Sequence, residues 1–313
     1  MTKISIIIPT YNGEKNIQKQ INTIIYDCQK YNIDNFYELV ICDNCSTDNT
    51  KRVVSKFINK KKSIKIKIKY YKSKTNTGYP SNFLRSIKLS TSKYLLFLCD
   101  DNIPEKGFYV AIYNVFKDKD FDNLCVFPSD NIPKYKKKLF AFNKLSYVFM
   151  RGSILSGILL IKKKINYKYV IKNELYPQNG IFINYYLNYG LELFNIKKKI
   201  KCSTNEPLET KFNDRMRRRE DLAVLDKINS IEIFYDHKKI NYLEFFSCLY
   251  SVYSWVIDMK YDLIKINKIS LAKLFWSKTL RHKKIFFIYT CVTFLFIKKI
   301  IFEPKKFLKI ICN

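Results

Sequence analysis

The run Leu95-Leu96-Phe97-Leu98-Cys99-Asp100-Asp101-Asn102-Ile103-Pro104 sets two adjacent carboxylates at the end of an apolar segment. Like charges repel there and water is partly excluded, while the whole chain carries 57 Lys plus Arg against 27 Asp plus Glu. A nearby cation stabilises such a pair in its charged form. The chemistry these residue types support is the binding of a hard divalent ion. Mg²⁺ or Mn²⁺ takes one or two protein carboxylates and completes its shell with water and substrate phosphate oxygens. The competing role for Asp100-Asp101 is a helix N-cap or a solvated turn at a strand end.

Other phosphate-binding devices are missing. No G-x-G-x-x-G follows the first apolar run, and no G-x-x-x-x-G-K-S/T occurs anywhere, so neither a dinucleotide fingerprint nor a P-loop is indicated. Cys42-x-x-Cys45 has no second pair, and His237 and His282 are the only histidines, which argues against a zinc or redox centre. Nine scattered cysteines, an odd count, fit a reducing compartment better than a disulfide framework. A formal charge of +30 calls for anionic partners: nucleotides, nucleic acid or an anionic membrane face. The basic residues are dispersed and carry no RNP, zinc-finger or helix-turn-helix signature, which counts against specific nucleic-acid recognition.

The elements that must position Asp100-Asp101 follow from the apolar periodicity. Residues 4–8 (ISIII) read as a fully buried parallel strand ended by Pro9. Ile17, Ile21, Ile24 and Ile25 recur at helical spacing between Glu14 and about Tyr31. A strand over Glu38 to Cys42 leads into a helix through Val53, Val54 and Phe57, which Ser46 or Thr47 is placed to cap. Ile64, Ile66 and Ile68 alternate with lysines as a half-buried strand, and a helix over Ser81 to Ser90 leads into strand Tyr94 to Cys99. Leu124 to Phe127 is a further candidate strand, and Ser153 to Ile161 a strand or strand-turn with Gly157 at a tight place. This β-α-β-α-β-α-β order predicts an α/β fold, a mostly parallel sheet with helices on both faces. Ligands of such sheets bind beyond the carboxyl ends of the strands. Tyr11 and Asn12, Asp43 and Asn44, Asn76 and Gly78, and Asp100 and Asp101 all follow strands, so they should converge on one crevice.

ISIIIPTYN, LVICDNCSTDNT, NTGYPSNF and YLLFLCDDNIP resemble, in order and spacing, the successive motifs of glycosyltransferase family 2, over about the first 110 residues. The run N-x-G-x-x-x-N followed by F-L-x-D-D is also similar to abequosyltransferase-like members. The resemblance implies a GT-A fold and inverting, metal-dependent hexosyl or deoxyhexosyl transfer. The donor would be a UDP-, dTDP- or other NDP-sugar, and the acceptor a hydroxyl of a glycan, lipid-linked, in bacterial surface polysaccharide synthesis. It implies that Pro9 and Tyr11 frame the nucleotide base and that Asp43 hydrogen-bonds the base edge. Asn76, Gly78 and Asn82 would line the nucleotide pocket. Asp100 would contact the ribose or the metal, and Asp101 would ligate Mn²⁺ or Mg²⁺.

The chain departs from the family pattern in two places. Cys99 stands where many members have the first Asp of Asp-x-Asp, and NELYPQNGIF lacks the Glu-Asp pair that often supplies the catalytic base. Glu174 is the nearest candidate for that base and Asp130 a second. A non-catalytic sugar-nucleotide-binding relative is therefore the alternative reading, with a basic nucleic-acid-binding protein behind it. Arg215, Arg217, Arg218 and Arg219 could hold a pyrophosphate or form a solvated helix start.

The expected organisation is a catalytic domain over 1–220, its nucleotide half about 1–110 and its acceptor half about 111–220, then a basic, aromatic-rich helical region over 221–313. The apolar run at residues 4–8 is too short for a signal-peptide core or a spanning helix, so the catalytic part is expected in the cytoplasm. The apolar run Ile285 to Ile297 lies between lysine pairs. As a helix it reaches about 20 Å, short of a bilayer core of roughly 30 Å. It could lie on an anionic membrane surface, in the core or at a subunit interface. The first of these makes the protein peripheral on the inner face of the cell membrane.

Overall fold

The computed structural model describes residues 3–59, 65–128, 156–168, 177–202, 231–238, 241 and 245. Strands β1 (Ile4–Thr10) and β2 (Tyr37–Asp43) are buried at every position, as expected of strands covered on both faces. They pair in parallel from Ile4↔Tyr37 to Thr10↔Asp43. On its other side β1 pairs in parallel with β4 (Tyr94–Phe97), and β2 pairs in parallel with β3 (Lys67–Lys72).

Pro9 does not end β1. Thr10 turns its carbonyl toward the β2 side, where it accepts from Asn44 N–H, and Ile7 turns its carbonyl toward Leu98 on the β4 side. Pro9 therefore points its missing N–H to the β4 side, where the β1–β4 ladder has already ended at Ile7↔Phe97. β3 lies further along the chain than the alternation of Ile64, Ile66 and Ile68 predicts. The ladder against β2 runs from Glu38↔Lys67 to Asp43↔Lys72, so pairing chooses KIKYYK. Ile66 is buried just ahead of it, and Ile64 lies outside the described residues.

Helices cover both faces. α1 (Glu14–Tyr31), α2 (Thr50–Ile58) and α4 (Phe108–Phe116) pack with Ile4, Ile6, Ile8, Leu39, Ile41 and Leu96 in one buried cluster. On the other face Phe97 stacks on Phe83 of α3 (Gly78–Leu89) and meets Phe182 of α5 (Pro177–Tyr189) edge-on. The remaining strands are β5 (Asn102–Pro104), β6 (Leu124–Val126), β7 (Ile158–Ile161), β8 (Leu191–Leu193) and β9 (Ile200–Cys202). The sheet is seven-stranded in the order β3-β2-β1-β4-β7-β6-β8, and β5 pairs with β9 separately. β7 alone runs against its neighbours β4 and β6. The fold is thus α/β with a mostly parallel sheet flanked by helices.

Gly157 sits at the entry to β7 with φ +88, and a Cβ there would lie 2.9 Å from the Phe127 carbonyl oxygen. Only glycine meets both conditions without strain. At the opposite end of the sheet from the Asp100-Asp101 turn, the buried Glu38 accepts from Lys69, Ser5 and Thr91. Burial alone would raise its pKa, but the Lys69 ammonium and these hydrogen bonds outweigh it and bring the value to about 2.

The chain divides into two compact units, Met1–Lys134 with Arg151–Glu206, and Tyr135–Met150 with Pro207–Asn313. In the second unit residues 231–236 are helical, and the Tyr235 and Phe245 rings lie 4.8 Å apart. The expected boundary near 220, the Arg215–Arg219 cluster and the run 285–297 lie outside the described residues. Among the described residues no helix is long and apolar enough to cross a membrane.

Candidate functional site

The loops after β1, β2 and β3 are fused by side-chain hydrogen bonds, which accounts for the residue types in PTYN and DNCSTDNT. Asn12 N–H donates to Ser46 Oγ at 2.8 Å, and Asn12 Oδ1 accepts Thr47 N–H at 2.9 Å. Asp48 closes two helix starts at once. Its Oδ1 accepts Thr50 N–H of α2 at 3.0 Å, and its Oδ2 accepts Glu14 N–H of α1 at 3.0 Å. Glu14 reciprocates by accepting Asn49 N–H at 3.1 Å. Neither Ser46 nor Thr47 caps α2; Asn49 holds the cap position without a side-chain bond, and Asp48 supplies the acceptor that the orphan N–H groups require. Burial pushes the Asp48 carboxyl up, but the Thr50 hydroxyl and the Glu14 and Thr50 N–H groups prevail and lower its pKa.

Asp43, at the end of β2, is fully buried. Its Oδ1 accepts Ser46 N–H at 2.7 Å and its Oδ2 accepts the Tyr70 hydroxyl. Burial and the adjacent carboxylate both push the Tyr70 pKa up, so Tyr70 keeps its proton and donates. Asp43 therefore caps its own loop. A carboxylate offers about four lone-pair sites, so two donors leave acceptor capacity. Asn76 Oδ1 accepts from Asn44 Nδ2 at 2.8 Å and from Gly78 N–H at 3.0 Å. This bond and the left-handed Gly78, φ +81, turn the chain into α3.

Asn82 is 3% exposed and donates to the Cys42 carbonyl at 2.7 Å, while Arg85 Nη2 donates to the Asp43 and Tyr71 carbonyls at 3.0 and 2.8 Å. Both fasten α3 to the ends of β2 and β3. Pro9 is buried inside β1, and Tyr11 is 41% exposed at the loop surface.

The carboxylate pair lies on a turn closed by the Asn102 N–H to Cys99 carbonyl bond of 3.2 Å. Asp100 Oδ2 accepts the Thr10 hydroxyl at 2.7 Å and Tyr11 N–H at 3.3 Å, so the turn joins the loop after β1. Gly13 makes room for this contact: a Cβ there would lie 2.2 Å from Thr10 Oγ1 and 3.2 Å from Asp100 Oδ2. Asp101 Oδ1 accepts Asn102 Nδ2 at 2.8 Å. Both aspartates are half-buried.

No group of three or more His, Cys, Asp and Glu gathers as a metal site among the described residues. The donor set is two hard oxygen ligands side by side. This suits Mg²⁺ or Mn²⁺ shared with a pyrophosphate and does not suit a protein-only cage. Burial pushes the Cys42 thiol up to about 11, which fits a packed thiol and not a redox or metal ligand. The candidate bases Glu174 and Asp130 lie outside the described residues.

The structure thus brings Tyr11, Asp43, Asn76, Gly78, Asp100 and Asp101 to one end of the sheet. Sequence reasoning missed Thr10, Gly13, Asp48 and Arg85. For Thr10 the signal was its place within PTYN and for Gly13 its place directly after it, and for Asp48 a second acidic residue just ahead of a helix start.

Comparison with known proteins bears on the family and the fold. The family described as "Glycosyl transferase family 2" matches residues 5–169. The chain is 33% identical over 108 residues to the Staphylococcus aureus poly(ribitol-phosphate) beta-N-acetylglucosaminyltransferase TarS, covering 34% of this chain and 17% of that protein. It is 32% identical over 120 residues to the abequosyltransferase RfbV of Salmonella typhimurium, covering 38% of this chain and 34% of the relative. The chain thus spans well under half the length of these relatives. A crystal structure of TarS residues 1–349 superposes with a TM-score of 0.55 at 16% identity, over 84% of this chain and 75% of that one. The mannosyltransferase PcManGT of Pyrobaculum calidifontis, in complex with GDP-Man and Mn²⁺, gives 0.52 at 12% identity, over 95% and 86%.

Proposed function

Because the chain belongs to glycosyltransferase family 2 and has the GT-A fold, we propose that it is an inverting transferase using a nucleoside-diphosphate sugar. The observation that carries this reading is the Cys99–Asn102 turn with its paired carboxylates, of which Asp100 is bonded to Thr10 and Tyr11 at the end of β1, where the loop after β1 is itself bonded to the loop after β2. The solved relatives with GDP-Man and Mn²⁺, and with UDP-GlcNAc, support a donor of this class. The acceptor is a hydroxyl of a glycan, lipid-linked, in bacterial surface polysaccharide synthesis. RfbV and TarS are relatives whose names fit such a role.

In this reading Tyr11 lies along the nucleotide base, Asp43 accepts from the base edge with its remaining lone pairs, and Asn76 and Gly78 shape the wall of the pocket. Asp101, helped by Asp100, holds Mn²⁺ or Mg²⁺, which when bound offsets charge on the departing pyrophosphate. The acceptor oxygen forms its bond to the anomeric carbon from the face opposite the nucleotide. The bond from that carbon to the phosphate oxygen breaks, and the electron pair leaves with the nucleoside diphosphate. The acceptor proton passes to a carboxylate, for which Glu174 is the candidate. The protein works at the inner face of the membrane, attached peripherally through its basic, aromatic-rich C-terminal sequence.

The test is a thermal-shift series with UDP, dTDP and GDP, each with and without Mn²⁺, followed by a transfer assay on Asp101→Ala. A ligand that binds only the folded state raises the melting temperature, so one nucleotide with Mn²⁺ should give the largest shift. Asp101→Ala should fold and abolish transfer. No shift with any nucleotide, or full transfer in excess chelator, overturns the reading.

A further inference from the structure

The turn that carries Asp100 and Asp101 has a holder from α1 that the family motifs do not include. Gln20 is 1% exposed. Its Nε2 donates to the Cys99 carbonyl and to the Asn102 carbonyl, each at 2.5 Å. These are the first and last carbonyls of the turn, and the amide's two protons are matched to two acceptors. The orientation is forced: a flipped amide would set its oxygen against both carbonyls. Among the described residues Oε1 has no hydrogen-bond partner, so the hydrogen bonds of this side chain are the two to the turn.

We infer that Gln20 is a positioning residue for the Asp100-Asp101 pair, clamping the two ends of its turn so that the carboxylates keep one spacing and direction. The inference rests on the reading of this turn as the metal and pyrophosphate site. Within the turn the Asn102 N–H to Cys99 carbonyl bond closes the backbone, and other bonds tie the turn to its surroundings. Ser156 Oγ accepts Cys99 N–H at 2.8 Å, β4 ends in its ladder at Phe97, and β5 begins its own pairing at Asn102↔Cys202. Gln20 adds, from α1, a side chain that bonds both the residue before the aspartates and the residue after them. Partners behind a metal's direct ligands typically change metal affinity by 10–100-fold when removed. Gln20 has no bond to the loops after β1, β2 or β3, so its loss should leave metal-free nucleotide binding alone.

The experiment uses the full chain and the variant Gln20→Met, which keeps the length and bulk of the side chain and removes both donors. Gln20→Asn, which retracts the amide by one methylene, is the second variant should the first not fold. Ile21→Val, a neighbouring core change on α1, serves as the control for loss of packing. Free Mn²⁺ is measured by electron paramagnetic resonance during titration in the presence of UDP, GDP or dTDP, and binding of each nucleotide without metal is measured by calorimetry.

The expected result is a Mn²⁺ Kd at least about tenfold higher in the Gln20 variants, with metal-free nucleotide affinity within twofold of the parent and Ile21→Val unchanged in both. A Gln20 variant with the parent's Mn²⁺ Kd, or an equal rise in Ile21→Val, overturns the positioning role. If the parent itself takes up no Mn²⁺ with any of the three nucleotides, the reading of the site fails first and the role of Gln20 falls with it.

Discussion

At Asp43 the same two oxygens face two demands. Ser46 N–H and the Tyr70 hydroxyl already occupy them from inside the protein, and reading a base edge would add a third donor from the nucleotide. The substitution that separates the two tasks is Asp43→Asn. It keeps an acceptor for Ser46 N–H and loses the charge assistance of a bond to a base N–H, a bond worth about 1.5–3 kcal/mol in its charged form. The expected outcome is a donor KM raised about tenfold or more with kcat held. An unchanged KM, with a lower melting temperature, would leave Asp43 as a loop cap. Thr10 belongs to the same scale: its hydroxyl fixes Asp100 at 2.7 Å, and Gly13 leaves the space that this contact fills.

At the scale of elements, the site is a junction of helix starts and strand ends. α1 and α2 share Asp48 as the acceptor for their first N–H groups, so the loops after β1 and β2 move as one piece. Removing a capping acceptor typically costs about 0.5–2 kcal/mol, and one that serves two helices belongs at the upper end. Asp48→Ala should therefore lower stability by about 2 kcal/mol in urea melts at neutral pH. The sign of the pH dependence follows from its lowered pKa. A carboxyl whose folded pKa lies below its unfolded value contributes stability above the unfolded pKa and loses it as pH falls through the folded one. The gap between parent and Asp48→Ala should be full at pH 7 and narrow below about pH 4, the ordinary aspartate range. A gap that stays constant down to pH 2 would show that the charge of Asp48 is not what caps the helices.

At the scale of the whole molecule, 57 Lys plus Arg against 27 Asp plus Glu leave a formal +30 that one nucleotide and one metal ion do not balance. Basic surface near an anionic leaflet gains about 1 kcal/mol per charge, and the C-terminal region adds Trp255 and Trp276 with many Tyr and Phe, rings of the kind that settle at an interface. The full chain is expected to sediment with vesicles containing phosphatidylglycerol at low salt, to be released at least in part by high salt, and to ignore neutral phosphatidylcholine vesicles. Failure to sediment with anionic vesicles at low salt would assign the C-terminal apolar run to the core or to a subunit interface.

The amino-acid sequence by itself determined the strands β1, β2 and β4 and the helix Glu14–Tyr31, because burial on both faces or on one helical stripe leaves a period that can be read locally. It determined the carboxylate turn too, since two aspartates ending an apolar run are anomalous wherever they occur. Only the tertiary structure decided what holds that turn. Thr10 meets Asp100 across 90 residues and Gln20 meets Cys99 across 79, and neither contact leaves any periodicity near the residues it joins. The start of β3 at Lys67 was likewise settled by the β2 ladder and not by the isoleucine alternation. So was the place of Asn82, whose Nδ2 donates to the Cys42 carbonyl while its buried Oδ1 has no hydrogen-bond partner among the described residues. Local pattern records whether a side chain is buried; which distant group it meets is fixed only when the strands are set in order.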